Sequence, residues 1–229
     1  MNSTLYLGGT RSGKSALAEA QARQAAGPVL YVATAESRPD DPNMCERIRR
    51  HRARRPASWR TVECPLHLAE GIATALLNIP ELSPEQISAS RRANATGQAG
   101  HSADSSSVNT QSGNQTDIPV QPTILLDCVT LWITNILFNL PDQTDIIAFE
   151  TAITREVNAL LDLMEHTDCN WILVSGETGL GGIAPDALTR TFCDGLGLAN
   201  QLLAARANAV YLVVAGCRLA LKDASGLQK

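Results

Sequence analysis

Gly8-Gly9-Thr10-Arg11-Ser12-Gly13-Lys14-Ser15 fits the pattern G-x-x-x-x-G-K-[ST]. Glycines at this spacing let backbone N–H groups converge on phosphate oxygens, and the N-terminus of a following helix adds partial positive charge. In such a loop Lys14 bridges the β- and γ-phosphates, and the Ser15 hydroxyl is a ligand for Mg²⁺. The metal shell needs an acidic residue at the end of another strand, directly or through water, and Ile124-Leu125-Leu126-Asp127 supplies Asp127. A chance glycine-rich turn and a helix-capping aspartate are the ordinary alternatives. The complete spacing, set between an apolar run and a helix-forming stretch, favours nucleotide binding over both. What is phosphorylated or hydrolysed does not follow from these residues alone.

A second constellation lies further along. Arg47-Ile48-Arg49-Arg50-His51-Arg52-Ala53-Arg54-Arg55, with Arg60, places seven of the nineteen basic residues within fourteen positions. The chain as a whole carries a net charge of −4. An ordinary basic run is a solvated helix face. The histidine at its centre suggests more, because clustered guanidinium groups disfavour the imidazolium, keep the ring nucleophilic and bind the polyphosphate it attacks. Covalent nucleotidyl or phosphoryl transfer to a ring nitrogen of His51 is the chemistry this favours. A nucleic-acid patch fits less well, since only Trp59 is near enough to offer a stacking face. His67 in an amphipathic helix, His101 in a polar stretch and His166 at a helix end read as structural.

These groups need a scaffold. Apolar runs at residues 4–7, 29–33, 60–63, 124–127, 171–175 and 210–215 read as strands. Between them, 15–26, 44–54, 66–78, 131–139, 145–165 and 185–206 have helix composition. Such alternation predicts an α/β domain with a mainly parallel sheet flanked by helices and right-handed crossovers. A hydrophobic content of 44% supports a real core. One region does not contribute: from Ser83 to Thr123 there is no Leu, Met, Cys or aromatic residue. That stretch reads as a disordered insertion in one domain spanning residues 1–229. No apolar run approaches the length of a bilayer span and no export signal is visible, so the expected compartment is the cytoplasm. The six cysteines are far apart, without a Cys-x-x-Cys pair, and most read as buried small hydrophobes.

In order along the chain, several segments resemble the bifunctional adenosylcobinamide kinase / adenosylcobinamide-phosphate guanylyltransferases of cobalamin assembly. GGTRSGKS at 8–15 is similar to the family's phosphate loop, and LYVATA at 30–35 to its second strand and nucleotide contact. RIRRHRARRPASWRTVECP at 47–65 resembles the guanylylation segment, with His51 at the nucleotide-carrying position. LLDCVTLWITNILF at 125–138, ILVSGETGLGGIAP at 172–185, NQLLA at 200–204 and VYLVVAG at 210–216 follow. The chain departs from the usual pattern at Gly176, Thr178 and Leu198.

The resemblance implies a single P-loop, RecA-like domain with two reactions. A nucleoside triphosphate, ATP or GTP, phosphorylates the aminopropanol hydroxyl of adenosylcobinamide. His51 then takes GMP from GTP and passes it to adenosylcobinamide phosphate, giving adenosylcobinamide-GDP. By the same resemblance Ala33, Thr34, Ala35, Arg52, Ala53, Arg54, Arg55 and Glu63 line the GTP site, Mg²⁺ accompanies the nucleotide, and the assembly is a homotrimer. No nucleic acid and no membrane span are expected. The competing expectations are another phosphate-loop kinase for a small alcohol, without guanylyl transfer, and a RecA-like nucleic-acid module.

Overall fold

Five-residue apolar runs such as Val29–Ala33 are too short and too β-branched to form helices, and they are buried along their whole length. They build a sheet whose order is β3-β2-β4-β5-β1-β6-β7. The strands are β1 (Asn2–Gly8), β2 (Val29–Ala33), β3 (Arg60–Glu63), β4 (Thr123–Asp127), β5 (Asn170–Gly176), β6 (Ala209–Val214) and β7 (Cys217–Lys222). The structure is a computed structural model and describes residues 2–35, 41–79 and 121–223. All strand pairs are parallel except β6 with β7. The expected α/β domain with a mainly parallel sheet is thus the one observed.

The helices are α1 (Lys14–Ala22), α2 (Pro42–Arg54), α3 (Leu68–Leu77), α4 (Val129–Phe138), α5 (Ile146–His166) and α6 (Ala187–Arg206). Side chains alternate across each strand, so the sheet has two separate cores. Leu30, Val32, Ile124, Leu126 and Leu173 face α3 to α6 and pack with Trp132, Phe149, Ile153 and Leu196. Tyr6, Val29, Tyr31, Ala33, Leu125 and Val174 face the other way and pack with Ala18 and Ala22 of α1.

Several expectations change. β7 was not foreseen: its residues are largely exposed on the sheet edge, so CRLALK carries no burial pattern to read. It folds back through Ala215 and Gly216, both at positive φ, 52° and 81°. Thr123, expected to end the polar stretch, instead opens β4 and is buried. The rest of that stretch up to residue 120, with His101, lies outside the described residues. Only Cys64 and Cys169 are buried; Cys45, Cys128 and Cys193 are half-buried and Cys217 is exposed. Position decides this: Cys45 and Cys193 lie on helices, Cys217 on the exposed edge strand, and Cys128 at the N-cap of α4 on a cavity wall. His67 precedes α3 instead of lying within it, and its Nδ1 is 3.3 Å from Glu156. Among the described residues no helix is long and apolar enough to cross a membrane.

Candidate active site

The phosphate loop joins β1 to α1. Gly13 caps α1 at φ 97°, a conformation that a side chain strains. Gly8 meets the sheet closely: a Cβ there would lie 2.5 Å from the Val213 carbonyl oxygen. The turn between β6 and β7 props the loop from outside, because the Gly216 N–H donates to the Ser12 carbonyl at 2.8 Å. Lys14 folds back over the loop, and its Nζ donates to the Gly9 carbonyl at 3.0 Å.

Asp127 is the hub. It ends β4 in register with Ala33 of β2 and lies on the same face as Tyr31. Its side chain is only 6% exposed. The Tyr31 hydroxyl donates to its Oδ2 at 2.7 Å, the Ser15 hydroxyl donates to Oδ1 at 3.4 Å, and His51 Nδ1 is 3.4 Å from Oδ2. Burial pushes this carboxyl up, but hydrogen bonds from His51 and Tyr31, the field of His51 and the bond from Ser15 outweigh it. The carboxyl is held below its usual range. Burial first, and Asp127 second, push the Tyr31 phenol up, so it stays a donor. Tyr31 was missed in the sequence because LYVA reads as ordinary core strand; it stands two residues before Ala33, the partner of Asp127, and that pairing is visible only in the folded sheet.

His51 is on the last turn of α2, facing α1 and β4. Arg54 Nη2 lies 3.4 Å from its Nδ1 and 3.5 Å from its Nε2, and 3.3 Å from Glu19 Oε1. Glu19 is buried, and that burial pushes its carboxyl up against the opposing pull of Arg54. Among the described side chains, the expected ring of guanidinium groups around the imidazole is therefore one arginine, Arg54, with the carboxylates of Asp127 and Glu19 beside it. The other described arginines fan out by helix geometry. Arg49 and Arg50 pair with Glu46, Arg52 pairs with Glu63, and Arg55 lies 3.6 Å over the Tyr31 ring. The Arg55 Nε is buried without a partner among the described residues, a donor left for a ligand.

Two cavities meet at His51. The larger, about 770 Å³, lies between the phosphate loop (residues 10–16) and α2, with Arg50, His51 and Arg54 on its far wall. The smaller, about 220 Å³, is walled by Tyr31, Ala33, Ala35, His51, Arg52, Arg55, Glu63 and Asp127, together with Cys128 and Glu177. Burial, with the Asp127 charge second, pushes the Cys128 thiol up to about 11, so it enters this wall as a neutral group. Of the residues expected in the site, Gly8, Thr10, Arg11, Ser12, Gly13, Lys14, Ser15, Ala33, Ala35, His51, Arg52, Arg54, Arg55, Glu63 and Asp127 are brought together. Gly9 contributes its carbonyl to Lys14. Thr34 is fully buried, its hydroxyl donating to the Cys128 carbonyl at 2.7 Å and accepting from the Cys128 N–H at 3.0 Å. Ala53 is on the exposed side of α2 and lines neither cavity.

The profile of the cobinamide kinase / cobinamide phosphate guanyltransferase family matches residues 4–79 and 101–221. The chain belongs to this family. Among curated relatives it is similar to the bifunctional adenosylcobalamin biosynthesis protein CobU of Salmonella typhimurium, with 34% identity over 223 residues, 95% of this chain and 98% of the relative. CobU of Escherichia coli gives the same figures. The bifunctional adenosylcobalamin biosynthesis protein CobP of Pseudomonas aeruginosa is 36% identical over 219 residues, covering 95% of this chain and 96% of that one.

Proposed function

We propose that the chain phosphorylates adenosylcobinamide at its aminopropanol hydroxyl and then transfers GMP from GTP, through His51, to give adenosylcobinamide-GDP. The observation that carries this reading is the position of His51 on the shared wall of the two cavities, between the phosphate loop and Asp127. In the guanylyl step Asp127 faces Nδ1, which leaves Nε2 to attack. The Nε2–P bond forms as the bond from the α-phosphorus to its bridging oxygen breaks, and pyrophosphate leaves with that electron pair. Lys14, the loop N–H groups and Arg54 are placed to hold the charge that develops on the departing phosphates. The adenosylcobinamide phosphate oxygen then displaces His51 from phosphorus.

Ser15 and Asp127 are the residues that would hold Mg²⁺. Their hydroxyl and carboxylate oxygens lie 3.4 Å apart, a pair of hard oxygen donors that fits a hard cation. When bound, the ion neutralises phosphate charge. The polar stretch from residue 83 to 122 is an insertion in the one domain; the family match leaves residues 80–100 uncovered and resumes at residue 101. The assembly is a homotrimer working in the cytoplasm.

The test is labelling with [α-³²P]GTP. The wild-type chain takes a label that is acid-labile and alkali-stable, as a phosphoramidate is, and His51→Asn abolishes it. A folded wild-type protein that never takes label removes the transferase half. If it still phosphorylates small alcohols, it is a phosphate-loop kinase of another kind.

A further inference from the structure

Residues 177–183 leave the C-terminal end of β5 at the mouth of the smaller cavity, and Glu177 and Thr178 form part of its wall. The segment is tied at both ends. The Glu177 N–H donates to the Gly8 carbonyl at 3.0 Å, and the Gly179 N–H donates to Glu177 Oε1 at 2.8 Å. Beyond it, Arg190 Nη1 donates to the Ala184 and Pro185 carbonyls at 3.0 and 2.9 Å. Between these ties Leu180 and Ile183 stand 79% and 90% exposed, more than any other large hydrophobic residue described. A single exposed aliphatic side chain needs no explanation. Two of them on one anchored loop are different, and Leu180 is within about 7 Å of Thr178 by chain length.

Glu177 adds chemistry to that surface. Of the carboxylates on the smaller cavity, Glu63 is paired with Arg52, and Asp127 is engaged by Tyr31, His51 and Ser15. Glu177 has Oε1 held by its own loop, which fixes the carboxylate at the cavity mouth.

We propose that residues 177–183 are the acceptor side of the site: Leu180 and Ile183 seat the apolar body of a large substrate whose hydroxyl arm enters the cavity, and Glu177 takes that hydroxyl's proton. This rests on the function proposed above, for which the substrate is a corrinoid with a methyl-studded rim. The loop commits to this occupant because its base is the cavity wall, so a body resting on it sends its arm toward the phosphates. In the phosphoryl step the substrate oxygen bonds to the γ-phosphorus. The bond from that phosphorus to its bridging oxygen breaks, the electron pair leaves on the nucleoside diphosphate, and the proton passes to the Glu177 carboxylate. In the guanylyl step the acceptor is already a phosphate anion, and no hydroxyl proton is removed.

The experiment is steady-state kinetics with cobinamide and, separately, cobinamide phosphate, on wild type, Leu180→Ser/Ile183→Ser, Glu177→Gln and Glu177→Asp. His51 labelling and light scattering are run on each. The double variant raises KM for both acceptors about tenfold with kcat little changed. Glu177→Gln lowers kcat for phosphorylation by about 10²-fold or more while GMP transfer to cobinamide phosphate falls far less, and Glu177→Asp recovers part of the loss. Unchanged acceptor KM in a double variant that still takes label overturns the seat. Equal losses in both steps for Glu177→Gln overturn the proton role. A fall in mass with acceptor KM unchanged assigns the loop to contact between copies and likewise overturns the proposal. A wild type that neither takes label nor phosphorylates cobinamide fails the functional reading itself, before any variant is compared.

Discussion

Four helices, α3 to α6, cover one face of the sheet over a core that includes Trp132, Phe149, Ile153 and Trp171, whereas the opposite face carries α1 and, at its margin, α2. The first face is joined by apolar packing. On the second, α2 buries none of its described residues and is held by polar contacts: His51 to Asp127, Arg54 to Glu19, Arg23 to the Arg54 carbonyl at 2.6 Å, and Arg55 over Tyr31. Stability and chemistry are thus placed on different faces. The phosphate loop and Asp127 sit at the strand ends of the sheet, and the proposed nucleophile His51 sits on a helix whose docking depends on charge and hydrogen bonds. Elements with few buried apolar contacts open at low free-energy cost. That suits the proposed role of His51, which is to accept a nucleotidyl group and then present it to a second substrate.

The most severe break of this division is Asp127→Asn, because one carboxylate serves both faces of the chemistry. It receives Ser15 from the phosphate loop side and orients His51 on α2. An amide keeps the Tyr31 bond but offers His51 and Ser15 a neutral partner. Both phosphorylation and His51 labelling fall about 10²-fold or more, while thermal unfolding followed by circular dichroism remains cooperative. If only one of the two reactions falls, the carboxylate is not shared and the two sites are independent.

The same division explains what could be read from the sequence. Residues 124–127 and 29–33 announce buried parallel strands, and the phosphate loop declares itself because its backbone conformation demands glycine and lysine at fixed spacing. Helix–strand alternation then gives the α/β sheet. Less legible are features that depend on who faces whom across the sheet. Tyr31 hides among core residues until its register with β4 is known. Thr34 adjoins the site in sequence, but its hydroxyl turns inward to Cys128. The arginine run looks like one anion cradle, yet a helix turns residues by about 100° each, so Arg49 and Arg50 face Glu46 while, among the described side chains of the run, Arg54 reaches the imidazole. The β6–β7 turn that props Ser12 is invisible because the edge strand has no burial pattern.

A paired substitution sharpens the contrast. Ile133→Ala, in the fully buried core of the four-helix face, costs about 2–5 kcal/mol of unfolding free energy. It leaves the labelling rate of the still-folded protein near wild type. Ile48→Ala, on half-buried α2 and lining the smaller cavity, costs under about 1 kcal/mol and slows labelling about tenfold. Urea unfolding and the rate of label uptake check the pair. Equal stability losses would mean that α2 is packed as part of the core after all.

The smallest effect is read in the pH dependence of stability, where the two buried carboxyls of the site have opposite signs. Asp127 is held below its usual range, so its contribution is present above the unfolded value of about 3.9 and is lost as pH falls through the folded one. Glu19 is pushed up, chiefly by burial. Its contribution is present below the unfolded value of about 4.3 and is lost as pH rises through the folded one. Relative to wild type, Glu19→Gln therefore has a higher Tm at pH 7 that converges with wild type below pH of about 4, and Asp127→Asn has a lower Tm at pH 7 that converges from the other side. Glu19→Gln also removes the acceptor that Arg54 uses to hold α2, so labelling slows even as Tm rises. A lower Tm for Glu19→Gln at pH 7 would show that the Arg54 pair outweighs the burial of Glu19. The helix that bears His51 would then contribute to the stability of the fold, and the separation between the two faces would fail at that point.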